Sequence, residues 1–248
     1  MSEMNHRAEQ PEAQEFVYSG TELELFAAAQ NWKGYWRREI DPFLGQQVLE
    51  PGAGIGATAR TLNHRSYGGW LGLEPDATMC RVVEAAIAGG RLSANHAIVC
   101  GTSHDLKEQD RFDTVLYIDV LEHIEDDGAE LQRVAQHLMP GGHIIIVSPA
   151  HNFLYTPFDR KIGHFRRYDR AMLKAILPRG LTIERMRYLD SVGLLASLAN
   201  KVILKSDTPK ASQILFWDSV LVRASLWVDR LTFHRLGKSI LCVMKKPF

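Results

Sequence analysis

Three glycines and an acid beside the first predicted strand form the clearest chemical pattern in the sequence. Gly52, Gly54 and Gly56 lie in the stretch VLEPGAGIGATAR, residues 48–60, and Glu50 comes just before them. A dinucleotide-binding turn reads G-x-G-x-x-G and a P-loop ends in Gly-Lys-Ser/Thr, and this stretch has neither arrangement. Glycine lets a ligand approach the backbone closely. Because Glu50 would repel a pyrophosphate, the loop predicts a ligand that is not held through phosphates.

A second acid narrows the kind of ligand. Glu74 ends the second predicted strand, where a carboxylate can accept hydrogen bonds from ribose hydroxyls. An acid before the glycines, a ribose acid and no phosphate-binding residues indicate a nucleoside without phosphates, and a cationic, amino-acid-bearing nucleoside fits best. The loop by itself is also compatible with a plain strand-to-helix turn. An NAD-dependent dehydrogenase is disfavoured by the glycine spacing and by Glu50.

Candidates for proton transfer cluster in SPAHNFLYTPFDRKIGHFRRYD, residues 148–169. His151 is the first candidate for a general base and His164 the second, because imidazole exchanges protons near neutral pH. Each is equally compatible with a loop histidine that caps a helix or binds a carbonyl group. Tyr168 is a candidate donor to the substrate, or a residue that packs at the start of the next helix.

Two arginines in the same segment suit an acidic substrate group. Arg166 and Arg167 carry planar guanidinium groups that bind carboxylate or phosphate through two parallel bonds. The alternative is structural ion pairing with Asp159 or Asp169. Both readings stay open from the sequence.

The elements that position these residues alternate between strands and helices. A strand before the glycines is followed by a helix, and the pattern repeats through residue 150, which predicts a parallel sheet covered on both faces. After that, a strand near residues 181–190, two helical stretches at about 191–204 and 212–232, and a closing strand predict an antiparallel pair at the sheet edge. Residues 21–44 predict an amphipathic helix that ends at Gly45.

Composition limits the class of protein. The chain has 248 residues, with 29 Lys plus Arg and 29 Asp plus Glu. There is thus no excess of basic residues of the kind that indicates nucleic-acid binding. We expect a flexible tail at 1–19, a single domain at 20–248 with a helical insertion at about 190–235, and no membrane-spanning helix. The three cysteines predict reduced thiols in a cytoplasmic protein, and we expect no metal site.

Four motifs in order resemble those of class I S-adenosylmethionine-dependent methyltransferases. They are VLEPGAGIG, LGLEPD, FDTVLYIDVLEHIEDD and LMPGGHIIIVSPAH. The P-A-H and G-H-F-R-R-Y-D elements that follow resemble a small-molecule subgroup of that family. The resemblance implies a Rossmann-like α/β fold: a mostly parallel seven-stranded sheet with an antiparallel last strand and a helical insertion before it. It also implies S-adenosylmethionine as cofactor and S-adenosylhomocysteine as product.

The resemblance assigns cofactor contacts residue by residue. Glu74 would hold the ribose hydroxyls, Pro75 would lie beside the adenine, and Gly101 and Thr102 would flank the adenine edge. The residues implied to surround the methionine part are Glu50, Gly52, Ala53, Gly54 and Gly56.

The segment after the fourth strand is implied to face the reacting end. Asp119 would face the amino-acid end of the cofactor or the substrate, and we include it among the catalytic candidates. Val120 would form part of the wall, and His123 would lie nearby. Asp105 is either a helix or turn cap or an adenine contact.

Aromatic residues outside these motifs add a wall. On the first helix, Trp36 is expected either to close the pocket and contact the substrate or to pack in the core. The apolar insertion helices are expected to form a wall of the substrate site, a homodimer surface or ordinary core. Asp218 and Asp229 disfavour a helix that lies on a membrane surface.

The function that we expect is a cytoplasmic methyltransferase that acts on O, N or C of a small molecule, including a lipid-linked or secondary-metabolite acceptor. One alternative is the same cofactor used for other chemistry, such as cyclisation. Another is a binding protein without turnover. No nucleic-acid partner is expected.

Overall fold

The computed structural model describes residues 28–199 and 211–248. Its strands are β1 Gln47–Pro51, β2 Gly69–Glu74, β3 His96–Cys100, β4 Phe112–Ile118, β5 Leu138–Pro149, β6 Thr182–Leu189 and β7 Ser239–Lys245. They form one seven-stranded sheet in the order β3-β2-β1-β4-β5-β7-β6. The predicted flexible tail at 1–19 lies outside the described residues.

The sheet is parallel except at one strand. β1 pairs in parallel with both β2 and β4, and β7 runs antiparallel between β5 and β6. The chain therefore turns to opposite sides of β1, which opens a crevice beyond the carboxyl ends of β1 and β4. The predicted fold class, with an antiparallel last strand after a helical insertion, is confirmed.

Helices cover the two faces of the sheet. Short 3-10 turns follow α1, β3, β4 and β5. The helices are α1 Gln30–Ile40, α2 Ala57–Leu62, α3 Ala77–Ala88, α4 Asp127–His137, α5 Pro157–Lys161, α6 Arg170–Ala175, α7 Ser191–Ala199, α8 Ala211–Phe216 and α9 Val222–Leu231. A π-helical segment, Trp217–Leu221, joins α8 to α9.

Alternation along the central strands divides the core into two clusters. On β4, Leu116 belongs to the cluster that contains α1, whereas Val115 and Tyr117 belong to the cluster on the opposite face. Successive side chains of a strand point to opposite faces, and all three are fully buried. The strands are therefore covered on both faces, as their apolar runs predicted.

The first helix is shorter than predicted at its carboxyl end. α1 ends at Ile40, and residues 41–43 form a 3-10 turn with proline in its first positions. Pro42 lacks an N–H and cannot continue the α-helical hydrogen bonding, so the helix ends before Gly45. The predicted helical residues through 27 lie outside the described part of the chain.

The insertion helices are fixed to α1 by two buried acids. Asp229 accepts hydrogen bonds from Tyr35 Oη at 2.6 Å and from the N–H groups of Asp190 and Ser191 at 2.7 and 2.9 Å. Asp218 accepts from the N–H of Trp32 at 2.8 Å. These acids therefore anchor the fold and are not part of a solvated face. Residues 200–210 of the insertion lie outside the described residues.

One expectation about the cysteines is wrong. Cys80 and Cys100 form a disulfide across the contact between α3 and β3, with Cα atoms 6.0 Å apart. The two residues are distant in sequence, but the fold brings them together because Cys100 pairs with Glu74 at the end of β2. Cys242 is a free thiol in β7, and its burial raises its pKa to about 12.

No helix within the described ranges is both long enough and apolar enough to span a bilayer.

Candidate active site

A cavity of about 300 Å³ lies at the carboxyl ends of β1 and β4. This volume is at the lower end of the range for small-molecule sites. The glycine loop after β1 forms one side, and residues after β4, the segment 158–167 and the start of β7 form the other. The loop predicted to bind a nucleoside and the segment predicted to act on a substrate thus line the same cavity.

The glycines have backbone conformations that the loop requires. Gly52 has a φ of +67°, and a Cβ there would lie 2.5 Å from Val120. Gly54 has a φ of +53° with nothing within 4 Å of its Cβ position. Both residues line the cavity. At Gly52 the loop therefore packs closely against Val120, in the segment after β4. At Gly54 it leaves open space, where a bound molecule can approach the backbone.

Glu74 is joined directly to the glycine loop. Its Oε2 accepts a 2.7 Å hydrogen bond from the N–H of Gly54, and its Oε1 accepts from the N–H of Asp76 at 3.0 Å. Burial raises the pKa of Glu74, against the lowering effect of these bonds. Each carboxylate oxygen retains a lone pair for a further donor. Pro75, the next residue, is exposed.

Glu50 is buried behind the loop. Its Oε2 accepts a 2.9 Å hydrogen bond from Trp70 Nε1, and burial raises its pKa to about 8. The side chain does not line the cavity, whereas Ala53 does. Gly56 is the N-cap residue of α2, with a φ of +75°, and is also outside the cavity lining. Of the predicted methionine-binding set, the structure thus places Gly52, Ala53 and Gly54 on the cavity wall.

The segment after β3 is ordered by a capping box. The N–H of Thr102 donates to Asp105 Oδ2 at 2.8 Å, and Thr102 Oγ1 accepts from the N–H of His104. The N–H of Gly101 donates to the carbonyl of Glu74 at 3.0 Å. Of the two readings for Asp105, the structure shows the cap. These residues lie beside Glu74 but outside the cavity lining.

Asp119 and Val120 follow β4 and line the cavity. Asp119 has a φ of +54°, an uncommon conformation for a residue with a side chain, and its N–H donates to the carbonyl of Val147 at 2.8 Å. Desolvation by the groups packed around it raises the pKa of Asp119 to about 6, against the charges of His164 and Lys238. Asp119 therefore lies on the cavity wall, between the glycine loop and the segment that carries His164.

His164 is held in place by a network of charged groups. Its Nδ1 lies 3.1 Å from Asp159 Oδ1, and Arg167 donates to the two oxygens of Asp159 at 2.9 and 3.0 Å. Burial alone would raise the pKa of Asp159, but the hydrogen bond from His164 and the charge of Arg167 hold it at about 2. Thr156 donates to the same carboxylate. The imidazole therefore has a fixed orientation on the cavity wall.

Three predicted substrate or catalytic side chains do not reach the cavity. His151 has a φ of +67° and stacks between Phe153 and Tyr188, with ring centroids 5.0 and 4.7 Å away. Ala150 forms a bridge with Tyr168, and the turn after it takes the His151 ring to the β6 side of the sheet. The structure thus separates the first candidate base from the second.

Tyr168 and Arg166 share one buried partner away from the cavity. Tyr168 Oη donates to Asp127 Oδ2 at 2.6 Å, and Arg166 Nη1 lies 2.6 Å from the same oxygen. Packing is the structural alternative given above for the tyrosine, whereas Arg166 forms its ion pair with Asp127 rather than with the predicted Asp159 or Asp169. Trp36 and Arg167 do line the cavity, although Arg167 is also paired with Asp159.

The structure adds residues that sequence reasoning passed over. Lys238 and Ser239 line the cavity from the start of β7, and Lys238 Nζ lies 3.7 Å from the Trp217 ring centroid and 3.7 Å from Asp190 Oδ2. An antiparallel strand begins at the edge of the sheet where the parallel strands end. The predicted closing strand therefore indicated that Lys238, at its start, lies near the carboxyl ends of the parallel strands. Glu122 belongs to the motif after β4 but was not singled out.

The profile of one protein family, described as methyltransferase domain, matches residues 26–187. Among curated proteins, the chain is similar to a ubiquinone biosynthesis O-methyltransferase of Bradyrhizobium sp., with 29% identity over 109 residues, 44% of this chain and 42% of the relative. A protein of the same name from Azorhizobium caulinodans is 30% identical over 116 residues, 46% of this chain and 44% of that protein. The matched stretch is less than half the length of these relatives.

Solved structures share the fold over nearly the whole chain. A methyltransferase from Mesorhizobium loti described as S-adenosylmethionine dependent has a TM-score of 0.59 at 17% identity, covering 89% of this chain and 99% of that one. The [4+2]-cyclase SpnF has a TM-score of 0.61 at 15% identity, covering 94% and 85%. At these identities the likeness establishes the fold alone.

Proposed function

The chain belongs to the methyltransferase domain family, and from that premise we propose that it transfers a methyl group from S-adenosylmethionine to a hydroxyl oxygen of a small, largely apolar acceptor. The observation that carries this proposal is that the Gly52–Gly54 loop, Asp119 and His164 line one and the same cavity. A methyl donor on the loop and an acceptor against the other wall would share that space. Proximity of two bound reactants is a major part of catalysis for such a transfer.

The donor side fits a nucleoside that carries an amino acid. Gly54 leaves space toward the cavity, and Glu74 keeps a lone pair on each oxygen beside it for ribose hydroxyls. When bound, S-adenosylmethionine supplies a methyl carbon already activated by its sulfonium. The residues proposed to hold it are Gly52, Ala53, Gly54, Glu74, Asp119 and Val120, with Pro75, Gly101 and Thr102 at the adenine end.

The acceptor side is walled by aromatic and aliphatic side chains. They are Trp32, Trp36, Phe158, Ile162 and Trp217. Such a wall favours a flat, apolar acceptor, because ring faces stack and exclude water. Asp119, Glu122 and His164 provide polar groups at one point of this wall, and a buried hydroxyl needs such partners.

Oxygen is the proposed acceptor atom. Arg167 is paired with Asp159 and Lys238 lies near Asp190, and these acid partners disfavour both cations as anchors for an acidic acceptor group. The polar groups that remain suit a hydroxyl, and the similar curated proteins carry the name O-methyltransferase. Use of the same site for cyclisation is a different outcome of the test below.

The proposal is tested with purified full-length protein, methyl-labelled S-adenosylmethionine and a panel of phenols, catechols and aliphatic alcohols. We expect label to enter at least one hydroxylated aromatic compound with equal release of S-adenosylhomocysteine. A Glu74→Ala variant should lose most of this activity at low donor concentration. Donor binding without transfer to any hydroxyl compound, or label on nitrogen or carbon only, would contradict the proposal.

A further inference from the structure

Three side chains of metal-binding types lie close together on the proposed acceptor side of the cavity. Glu122, His123 and His164 each offer one ligand atom, and these atoms all lie within 4.8 Å of one another. Glu122 and His123 come from the 3-10 turn Leu121–His123 after β4, and His164 precedes α6. All three line the cavity. The fold thus assembles two imidazoles and a carboxylate from distant parts of the sequence.

Glu122 has a buried oxygen without a protein partner. The residue is 0% exposed, and its Oε2 accepts a 2.8 Å hydrogen bond from Ser148 Oγ. Its Oε1 is buried with no hydrogen-bond partner among the described residues. An orphaned buried carboxylate oxygen is costly, so this atom points to a ligand on the cavity side.

The spacing between Glu122 and His164 suits an atom between them. Glu122 Oε1 lies 3.9 Å from His164 Nε2, which is too long for a hydrogen bond. Two ligands of one tetrahedral ion lie roughly 3.3–3.6 Å apart, given bonds of about 2.0–2.2 Å. A movement of a few tenths of an ångström would place both atoms on one ion.

The other nitrogen of His164 already has the partner that metal-bound histidines use. His164 Nδ1 faces Asp159 Oδ1 at 3.1 Å, and Arg167 and Thr156 hold that carboxylate. A carboxylate behind a histidine fixes the ring and leaves Nε2 for the metal. This support exists in the protein without any ion.

The acids beside the cluster provide oxygen ligands for a cation. Asp119 and Glu122 both line the cavity, and Glu122 is fully buried. Two cations of the same wall have acid partners of their own, since Arg167 pairs with Asp159 at 2.8 Å and Lys238 lies 3.7 Å from Asp190. The carboxylates of Asp119 and Glu122 therefore face the cavity side, where a divalent ion can approach them.

We propose that Glu122, His123 and His164 bind one divalent transition-metal ion at the acceptor end of the cavity. Two imidazoles with one carboxylate favour zinc, manganese or iron over magnesium or calcium. Positions left open on the ion would take the acceptor hydroxyl, which rests on the proposed function. A bound ion would lower the pKa of a coordinated hydroxyl, so the hydroxyl would lose its proton to water. Its oxygen would then form a bond to the methyl carbon while the bond from that carbon to sulfur breaks and S-adenosylhomocysteine leaves. This proposal replaces the expectation, from sequence, of no metal.

The test uses full-length, tag-free protein stripped of metal with a chelator and then titrated with Co²⁺, which absorbs visible light when bound by nitrogen and oxygen ligands. Zn²⁺ is titrated in parallel by calorimetry. We expect one equivalent of each metal to bind. His164→Gln should weaken binding at least tenfold, and Asp159→Asn, which leaves all three proposed ligands in place and alters the support of His164, about tenfold to a hundredfold. His64→Gln, at an exposed histidine paired with Asp41, is the matched control and should change nothing.

Circular dichroism of each variant separates lost binding from lost fold, and Asp159→Asn keeps the test informative should His164→Gln unfold. Absence of binding in the wild-type protein, or equal affinities in His164→Gln, Asp159→Asn and the control, would overturn the metal site. Binding of S-adenosylhomocysteine measured with chelator present is independent of the metal. Donor-product binding without Co²⁺ binding would therefore overturn this proposal alone, and the reverse result would overturn the proposed function alone.

Discussion

The backbone N–H of Gly54 donates a 2.7 Å hydrogen bond to Oε2 of Glu74. This bond joins the loop after β1 to the carboxyl end of β2, so the two predicted donor-binding features form one structural unit. Glu74 also accepts from Asp76, the residue that caps α3. A change at Glu74 therefore affects the loop conformation as well as any ribose contact.

Glu74→Ala should weaken binding of S-adenosylmethionine and S-adenosylhomocysteine to a similar extent. Loss of hydrogen bonds to a charged acceptor costs roughly 1.5–3 kcal/mol, which corresponds to about a tenfold to hundredfold higher Kd. Calorimetric titration of both compounds measures this change. Glu84→Ala, at an exposed acid of α3, is the control and should bind both compounds like the wild type. Equal affinities for the two variants would remove Glu74 from the donor site.

Gly54→Ala should abolish donor binding while costing little stability. The position has a φ of +53° with nothing within 4 Å of the added Cβ, so the cost to folding is about 1 kcal/mol of backbone strain. The methyl group would instead enter the space proposed for the donor. Gly90→Ala is the matched control, because Gly90 has a φ of +67° and open surroundings away from the cavity.

Urea unfolding and donor titration are measured on both glycine variants. Similar losses of stability with loss of donor binding only in Gly54→Ala would support the assignment. Retention of donor affinity in Gly54→Ala would mean that the open space at this glycine is not the donor site.

Glu50→Gln should change how stability depends on pH. Burial raises the pKa of Glu50 from 4.5 to about 8, so between these values the folded protein binds a proton that the unfolded chain releases. Stability contributed by this group therefore falls as pH rises from about 4.5 to about 8, by up to about 1.4 kcal/mol per pH unit. Glutamine stays neutral and can still accept from Trp70.

Denaturant unfolding of Glu50→Gln and the wild type at several pH values checks this prediction. The variant should gain stability relative to the wild type as pH rises through that window. Curves that stay parallel across the window would show that Glu50 titrates normally in the folded protein.

Asp229→Ala should be strongly destabilising. The carboxylate accepts from Tyr35 Oη and from the N–H groups of Asp190 and Ser191, and the residue is 0% exposed. Removing it leaves three buried donors without this partner, and we expect a loss of about 3 kcal/mol or more in the free energy of unfolding. Asp126→Ala, which removes an exposed cap of α4, should cost about 1 kcal/mol. A similar small loss at Asp229 would show that the insertion is not anchored through this residue.

The sheet and the conformation of the glycine loop could be predicted from the sequence because their signals are local. Alternating apolar strands, Gly52 and Gly54, and the acid at the end of β2 all lie within single strand-turn units. The cavity wall opposite this loop depends on contacts between distant segments, so His164, Glu122 and Lys238 could not be grouped in advance. His151 shows the limit most clearly: it follows β5 directly, but a positive φ and stacking on Tyr188 turn it away from the cavity.

The most direct test of the account is calorimetric titration of the full-length protein with S-adenosylmethionine and S-adenosylhomocysteine, with NADH as the control ligand. The account predicts saturable one-to-one binding of the first two compounds and none of NADH, because the Gly52–Gly54 loop and Glu74 offer ribose and backbone contacts without a pyrophosphate site. Binding of NADH, or absence of binding by both sulfur compounds, would contradict the assignment of this cavity to a methyl donor.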